Sequence, residues 1–301
     1  MIQKKINTSC AMITIVGRAN VGKSTLTNTL VGEKVAIVTN KPQTTRNRIY
    51  AVLNQGDTQI ILMDTPGFHK AKNRLGEHML RTVSECIYDV DAVLLVVEPI
   101  ASAGTQELEL IEKIKKSGRP AVLVVNKIDT VPKEQILGVI TEYTRLFDFE
   151  AVVPISAKHA DGTEELLKVL TKFAVAGPKL FPEGMVTDQA DSQICAEIVR
   201  EKLLLCLDKE VPHGVAVVVT RFSERVDTEI IDLDVTIYCE KDSHKGIVIG
   251  KNGAMLKKIG ELSRREIEKF MGTKVFLQSW VKVKDNWRDS ARYLKNFGYT
   301  D

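Results

Sequence analysis

Between residues 11 and 172, short apolar runs alternate with amphipathic stretches of helical length. The runs Met12–Val16, Ile49–Leu53, Gln59–Met63, Ala92–Val97, Ala121–Val125 and Ala151–Ile155 have the length and composition of strands. Stretches such as Thr105–Lys116 and Thr163–Phe173 repeat apolar residues at helical spacing. This alternation predicts βαβ units, and so an α/β domain over residues 1–176 whose mainly parallel sheet carries helices on both faces. Asn54-Gln55-Gly56-Asp57 is a tight-turn signal, so Ile49–Leu53 and Gln59–Met63 are expected to pair antiparallel and make the sheet mixed.

The pattern lapses over 177–192, which holds Gly177, Pro178, Pro182 and Gly184 and reads as a linker. A second, smaller α+β domain is predicted over 193–301. Gln193–Leu207 is an amphipathic helix with Ile194, Ile198 and Leu205 on one side. Val215–Phe222 and Ile231–Cys239 are strands. Gly246–Ile249 and Ala254–Phe270 are helical and flank Gly250-Lys251-Asn252-Gly253. Lys274–Lys284 is a further strand, and Asn286–Asn296 a terminal helix. The resulting order is α-β-β-α-α-β, with no internal repeat.

Composition adds only boundaries. The 301 residues, 44% hydrophobic and 27% charged, suit two globular domains. Five scattered cysteines with no Cys-x-x-Cys pair argue for a reducing compartment and against a disulfide framework or zinc site. The chain starts without a signal-peptide pattern, and its longest apolar runs fall far short of the roughly 20 residues that span a bilayer. A cytosolic location is expected, with any membrane contact peripheral. The net charge of +3 is uneven: residues 241–301 carry 14 Lys/Arg against 7 Asp/Glu, a balance of +7 that leaves −4 for the rest. That asymmetry fits either a nucleic-acid-facing C-terminal part or a solvated basic surface.

The chemistry concentrates at four places in the first domain. Gly17-Arg18-Ala19-Asn20-Val21-Gly22-Lys23-Ser24 follows a strand and precedes the helix-like Thr25–Leu30, the context a P-loop requires. Backbone N–H groups of Asn20 through Thr25 would curl around phosphate oxygens at a helix N-terminus. Lys23 would reach the β- and γ-phosphates and Ser24 would ligate Mg2+. Asp64-Thr65-Pro66-Gly67 closes the strand Gln59–Met63, setting a carboxylate beside the metal and the Gly67 N–H toward the γ-phosphate. Asn126-Lys127-Ile128-Asp129 follows a third strand. Asp129 can accept from guanine N1–H and N2–H, which adenine lacks; Asn126 would address the purine's other edge and the Lys127 stem would cover its face. An unpaired carboxylate facing the wrong base makes such a site exclude ATP. Ser156-Ala157-Lys158 follows the next strand, where a backbone N–H could reach guanine O6.

This order of motifs over residues 11–173 resembles translation-factor-related GTPases. Ras-type enzymes orient the attacking water with a Gln directly after Asp-x-x-Gly; Phe68 stands there and cannot do so. The resemblance is to GTPases with a hydrophobic residue at that position, and implies slow intrinsic turnover. Asn20 matches an asparagine that ligates an activating K+ in several relatives; the alternative is a loop-stabilising side chain. Thr44-Thr45-Arg46 looks like the first switch, where the resemblance favours Thr45 as the threonine that closes on Mg2+ and the γ-phosphate. Lys23, Thr45 and Asn20 are therefore the candidate catalytic groups, and Ser24, Thr45 and Asp64 the metal ligands. Arg46 and Arg48 read either as internal arginine fingers or as solvated charge on a mobile loop.

In the second domain, Gly246-Ile247-Val248-Ile249-Gly250-Lys251-Asn252-Gly253 joins two helical stretches. A Gly-x-x-Gly loop lets backbone approach a phosphate chain without Cβ obstruction. The element order looks like a type II KH domain, which clamps about four single-stranded nucleotides. Gly246, Ile249, Gly250, Lys251, Asn252 and Gly253 are the candidate RNA contacts, with Ile249 the apolar floor for a base. Trp280 and Trp287 are open between base stacking and packing.

A GTPase domain of TrmE-Era-EngA-like type followed by a type II KH domain resembles the Era family of bacterial ribosome-assembly GTPases, over nearly the whole chain. The likeness includes Phe181-Pro182-Glu183-Gly184 and Ile198-Val199-Arg200-Glu201-Lys202-Leu203. Ala19 stands where proline is usual in the P-loop, and Asn252 where glycine is frequent in the KH loop. The resemblance implies a monomeric GTPase that binds 16S ribosomal RNA near its 3′ end and acts in assembly of the 30S subunit, in the cytoplasm or peripherally at the inner face of the cell membrane.

Overall fold

A computed structural model describes residues 8–300. The chain divides into two compact units. The first comprises residues up to 36, 45–70 and 79–188; the second comprises 37–44, 71–78 and the chain from 189 onward.

The first unit is built on a seven-stranded sheet of β1 (Ser9–Val16), β2 (Ile49–Gln55), β3 (Thr58–Asp64), β4 (Ala92–Val97), β5 (Ala121–Val125), β6 (Ala151–Pro154) and β7 (Val175–Ala176), ordered β2-β3-β1-β4-β5-β6 with β7 pairing β1. Strands β3, β1, β4, β5 and β6 run parallel. The hairpin of β2 and β3 is antiparallel, with Asn54 opposite Gln59 and Gln55 opposite Thr58. Every residue of β4 and β5 is buried, as expected of central parallel strands covered on both faces. Alternate side chains feed two cores. Ile13, Leu94 and Val124 meet Leu26 of α1 (Lys23–Val31) and Leu166 of α5 (Thr163–Thr171). Leu95, Leu123 and Val125 meet Val83 of α2 (Arg74–Tyr88), Leu110 of α3 (Thr105–Ser117) and Val139 of α4 (Lys133–Leu146). The phosphate, metal and base motifs all follow C-terminal strand ends, where open α/β sheets bind ligands.

Residues 177–188 are not a free spacer. Gln59 Oε1 accepts the N–H groups of Leu180 and Phe181 at 2.8 and 2.9 Å. The Val52 N–H donates to Val186 at 2.9 Å, and Thr187 bridges to Ala51. This segment therefore belongs to the first unit, and the boundary expected at 192 falls at 188.

In the second unit, α6 (Asp191–Cys206) precedes β8 (Ala216–Glu224) and β9 (Ile231–Cys239), an antiparallel pair. Then come α7 (Asp242–Ile249), α8 (Ala254–Met271), and β10 (Val275–Val283), parallel to β9. Ile198 and Leu203 of α6 and Ile259 and Ile267 of α8 pack on Leu233, Val235 and Ile237. Leu205, expected on the apolar side of α6, is exposed at the last turn, where Leu203, Leu204 and Leu207 fill the core instead. The expected terminal helix is broken: a 3-10 turn at Trp287–Asp289 gives way to α9 (Ala291–Asn296) at Ser290, whose extended backbone and N-cap side chain restart the helix. No described helix is long and apolar enough to cross a membrane.

Candidate functional site: a nucleotide pocket and a Gly-x-x-Gly loop

Three oxygen-bearing side chains from separate elements converge at the end of the P-loop. Ser24 Oγ, at the start of α1, donates to Asp64 Oδ2 at 2.6 Å and shares a hydrogen bond with Thr45 Oγ1 at 2.9 Å. Asp64 ends β3, and Thr65 pins that end by donating to the Ile15 carbonyl at 2.6 Å. Asp64 Oδ1 is buried and has no hydrogen-bond partner among the described residues. A carboxylate oxygen in that condition is costly unless a cation meets it. Hard oxygen donors from Ser, Thr and Asp suit Mg2+, so the expected metal ligands fit.

Lys23 is buried beside them and donates to the carbonyls of Gly17 and Arg18 at 3.1 and 2.8 Å. Burial pushes its ammonium down to about 8, with the Asp64 charge opposing. Burial pushes Asp64 up to about 6, opposed by Lys23 and by the Ser24 hydrogen bond. Gly67 lies so close to the P-loop that a Cβ there would stand 2.7 Å from Ala19 Cα. Its place beside the phosphate loop therefore requires glycine.

At the base end, Asp129 Oδ1 accepts from Ser156 Oγ at 2.6 Å, a hydrogen bond that holds its carboxyl below the usual carboxylate range. The group is thus ionised and aimed, and His159 approaches its other oxygen, Oδ2, no closer than 3.8 Å. Lys127 donates to the Asn20 carbonyl at 2.7 Å, tying base loop to P-loop. Asn126 also braces the loops around it. Its Nδ2 donates to Val21 at 2.8 Å and its Oδ1 accepts the Ala157 N–H at 2.9 Å. Asn126 thus clamps three loops together, and its amide keeps a second N–H and a second lone pair for the purine edge; the Ala157 N–H is taken, leaving Lys158 as the next backbone donor of that turn.

In the second unit, α7 and α8 meet at Gly250–Gly253. Gly250 takes φ 71° and ψ 174°, and a Cβ on it would stand 2.7 Å from Met255 Cβ. Lys251 and Asn252 are exposed, and Ile249 is half-buried. Asn252 adopts a left-handed φ of 53°, which asparagine tolerates, so it does not obstruct the turn. Gly246 is exposed on α7, with empty space where a Cβ would lie.

A family profile described as "50S ribosome-binding GTPase" matches residues 12–127, and one described as "KH domain" matches 210–288. The chain is 50% identical over 287 residues to GTPase Era of Ruminiclostridium cellulolyticum, covering 95% of this chain and 96% of that one. It is 48% identical over 290 residues to GTPase Era of Clostridioides difficile, covering 96% and 98%. The crystal structure of a single-residue variant of Aquifex aeolicus Era bound to GDP·AlF4− aligns with a TM-score of 0.94 at 35% identity, over 98% of this chain and 100% of that one. The chain belongs to the Era GTPase family. A second structure, of Era with MgGDPNP and nucleotides 1506–1542 of 16S ribosomal RNA, aligns equally well.

As an Era-family GTPase the chain has Phe68 turned into the core of the first unit, 4% exposed, so that position contributes packing and no polar group. Arg46 is buried, which removes its reading as solvated charge; Arg48 lies over the Tyr50 ring at 5.6 Å. Asn20 takes φ 67° in the P-loop and is exposed. Trp287 is wholly buried, stacked on Tyr299 and donating to the Gly214 carbonyl at 2.9 Å, while Trp280 is 43% exposed on β10. Two groups escape motif reading. Glu98 accepts from Lys127 at 2.5 Å and pairs with Arg18, bracing both sides of the P-loop. Asn28 Oδ1 accepts the N–H groups of Val35 and Ala36 at 3.0 and 2.9 Å, fixing the exit from α1. Neither belongs to a spaced motif, so only the fold reveals them.

Proposed function

We propose that this Era-family GTPase couples its nucleotide state to binding of small-subunit ribosomal RNA near the 3′ end, during assembly of the 30S subunit in the cytoplasm. The observation that carries the nucleotide half is the convergence of Ser24, Thr45 and the buried, unpartnered oxygen of Asp64. Mg2+ bound there supplies positive charge to the β- and γ-phosphate oxygens. Lys23, in a buried setting where charge is weakly screened, does the same with its ammonium. Asp129 selects guanine by accepting N1–H and N2–H. Hydrolysis is slow, because Phe68 offers no group to orient water, and Asn20 provides a ligand for a K+ that adds charge stabilisation.

The RNA half is supported by the exposed Lys251 and Asn252 on the Gly250–Gly253 loop and by the relative solved with a 16S fragment. The backbone of that loop would accept a single-stranded phosphate chain, with Ile249 under a base. The test is the affinity for a 16S 3′-end fragment with a non-hydrolysable GTP analogue, with GDP and without nucleotide. The expected result is tightest binding with the analogue; equal affinity in all three conditions would sink the coupling. K+ replaced by Na+ should slow phosphate release without weakening nucleotide binding.

A further inference from the structure

Helix α6 buries three consecutive charged residues, Arg200, Glu201 and Lys202, none of which the nucleotide pocket or the RNA loop uses. Buried charge is costly unless paired, so the partners reveal what these side chains are for. Lys202 pairs with Glu201 Oε2 at 2.7 Å and with Glu266. The other Glu201 oxygen accepts the Val38 N–H at 2.9 Å. Arg200 Nε donates to Glu197 Oε1 at 2.8 Å, and its Nη2 serves both Glu197 Oε2 and the Thr44 carbonyl.

Two adjacent side chains thus grip segment 37–44 of the second unit by backbone atoms near its two ends. The segment is itself a folded turn: the Thr44 hydroxyl bonds to Thr39 Oγ1 at 2.6 Å and to the Lys41 carbonyl at 2.7 Å. The exposed Lys41–Asp208 pair at 3.0 Å adds little. The held carbonyl of Thr44 belongs to the peptide unit whose nitrogen is that of Thr45, and that unit is planar and rigid. Thr45 is the residue whose hydroxyl meets Ser24 in the candidate metal site.

We propose that Arg200 and Glu201 are positioning residues for the GTP-bound state: by fixing the backbone of 37–44 they deliver Thr45 to the metal and the γ-phosphate. The proposal rests on the reading of Thr45 given above. A GDP complex has no γ-phosphate for Thr45 to meet, so the grip favours GTP selectively.

The test uses the full chain carrying Arg200→Met, and separately Arg200→Lys, which keeps the charge beside Glu197 but cannot hold two acceptors in a fork. Equilibrium affinities for a fluorescent GDP and a non-hydrolysable GTP analogue are measured across a Mg2+ titration. The expected result is a loss of about tenfold for the analogue, the scale of one charged hydrogen bond, with GDP affinity nearly unchanged and a higher Mg2+ requirement for the analogue alone. Arg200→Lys should recover part of the loss. Equal loss for both nucleotides, or no loss for either, overturns the proposal; if Arg200→Met fails to fold, Arg200→Lys decides by the same criterion. Thr45→Ala separates the two levels. If it leaves the analogue-to-GDP ratio unchanged, the reading of Thr45 fails; if it lowers the ratio and the Arg200 variants do not, only the role of Arg200 fails.

Discussion

Asp129 illustrates how a single carboxylate selects a base. Ser156 donates to one oxygen at 2.6 Å and so fixes the direction of the other without neutralising it. Replacing Asp129 with Asn presents an NH2 donor to the N1–H and N2–H donors of guanine, while xanthine offers an acceptor at position 2. Asp129→Asn should weaken GTP binding on the order of a hundredfold and favour XTP, as sites built around such a pairing discriminate strongly when it is broken. Competition of GTP and XTP against a labelled nucleotide measures this; unchanged preference would remove Asp129 from base selection. Residues of this kind are legible in the sequence because ligand geometry dictates their spacing: Lys23, Ser24, Asp64 and Asp129 all stand where their motifs put them. Asn126 is the counter-example. Its amide also braces Val21 and Ala157, partners contributed by two other loops, and no spacing within Asn-Lys-x-Asp announces that.

Among the elements, the turn between α7 and α8 is tightly constrained by stereochemistry. A Cβ on Gly250 would stand 2.7 Å from Met255 Cβ and 2.9 Å from the Met255 nitrogen, and φ 71° is itself unfavourable for an L side chain. Gly250→Ala should therefore displace the first turn of α8 and tilt the loop. RNA affinity is expected to drop about tenfold or more, in line with the penalty for small misplacement of a positioned group. RNA-free GTP hydrolysis should stay at its original rate. Filter binding and phosphate release on the same preparation give both numbers, and a parallel fall would mean the loop is structural for the whole chain. Apart from the two-residue β7 the strands were legible to within three residues, and β4 and β5 best of all, because their apolar runs are buried on both faces. The α6 pattern was less so: its polar positions 200–202 look solvent-facing, yet they are buried, Arg200 and Glu201 against a segment some 160 residues upstream and Lys202 between Glu201 and Glu266.

At the scale of the whole molecule, the sequence suggests two domains in tandem, whereas the second unit also recruits residues 37–44 and 71–78. Its apolar core is drawn from residues between Ile194 and Val281, so a fragment from residue 189 onward should still fold. In that fragment, however, Arg200 loses the Thr44 carbonyl, Glu201 loses the Val38 N–H, and Asp289 loses the Arg74 N–H that it accepts at 3.0 Å in the full chain. A loss of about 3 kcal/mol, the net worth of three such bonds once water replaces the missing partners, lowers the melting temperature by roughly ten degrees or more in a domain of this size. The origin of the loss can be isolated by one substitution in two contexts. In the intact chain Arg200→Met leaves the Thr44 carbonyl and the Glu197 carboxylate without their donor and destabilises. In the fragment the same change replaces an underpaired guanidinium by an apolar side chain and should be neutral or stabilising. Melting curves of all four proteins decide: opposite signs assign the stability of α6 to the borrowed segments, and equal penalties would assign it to the Glu197 pair within the helix.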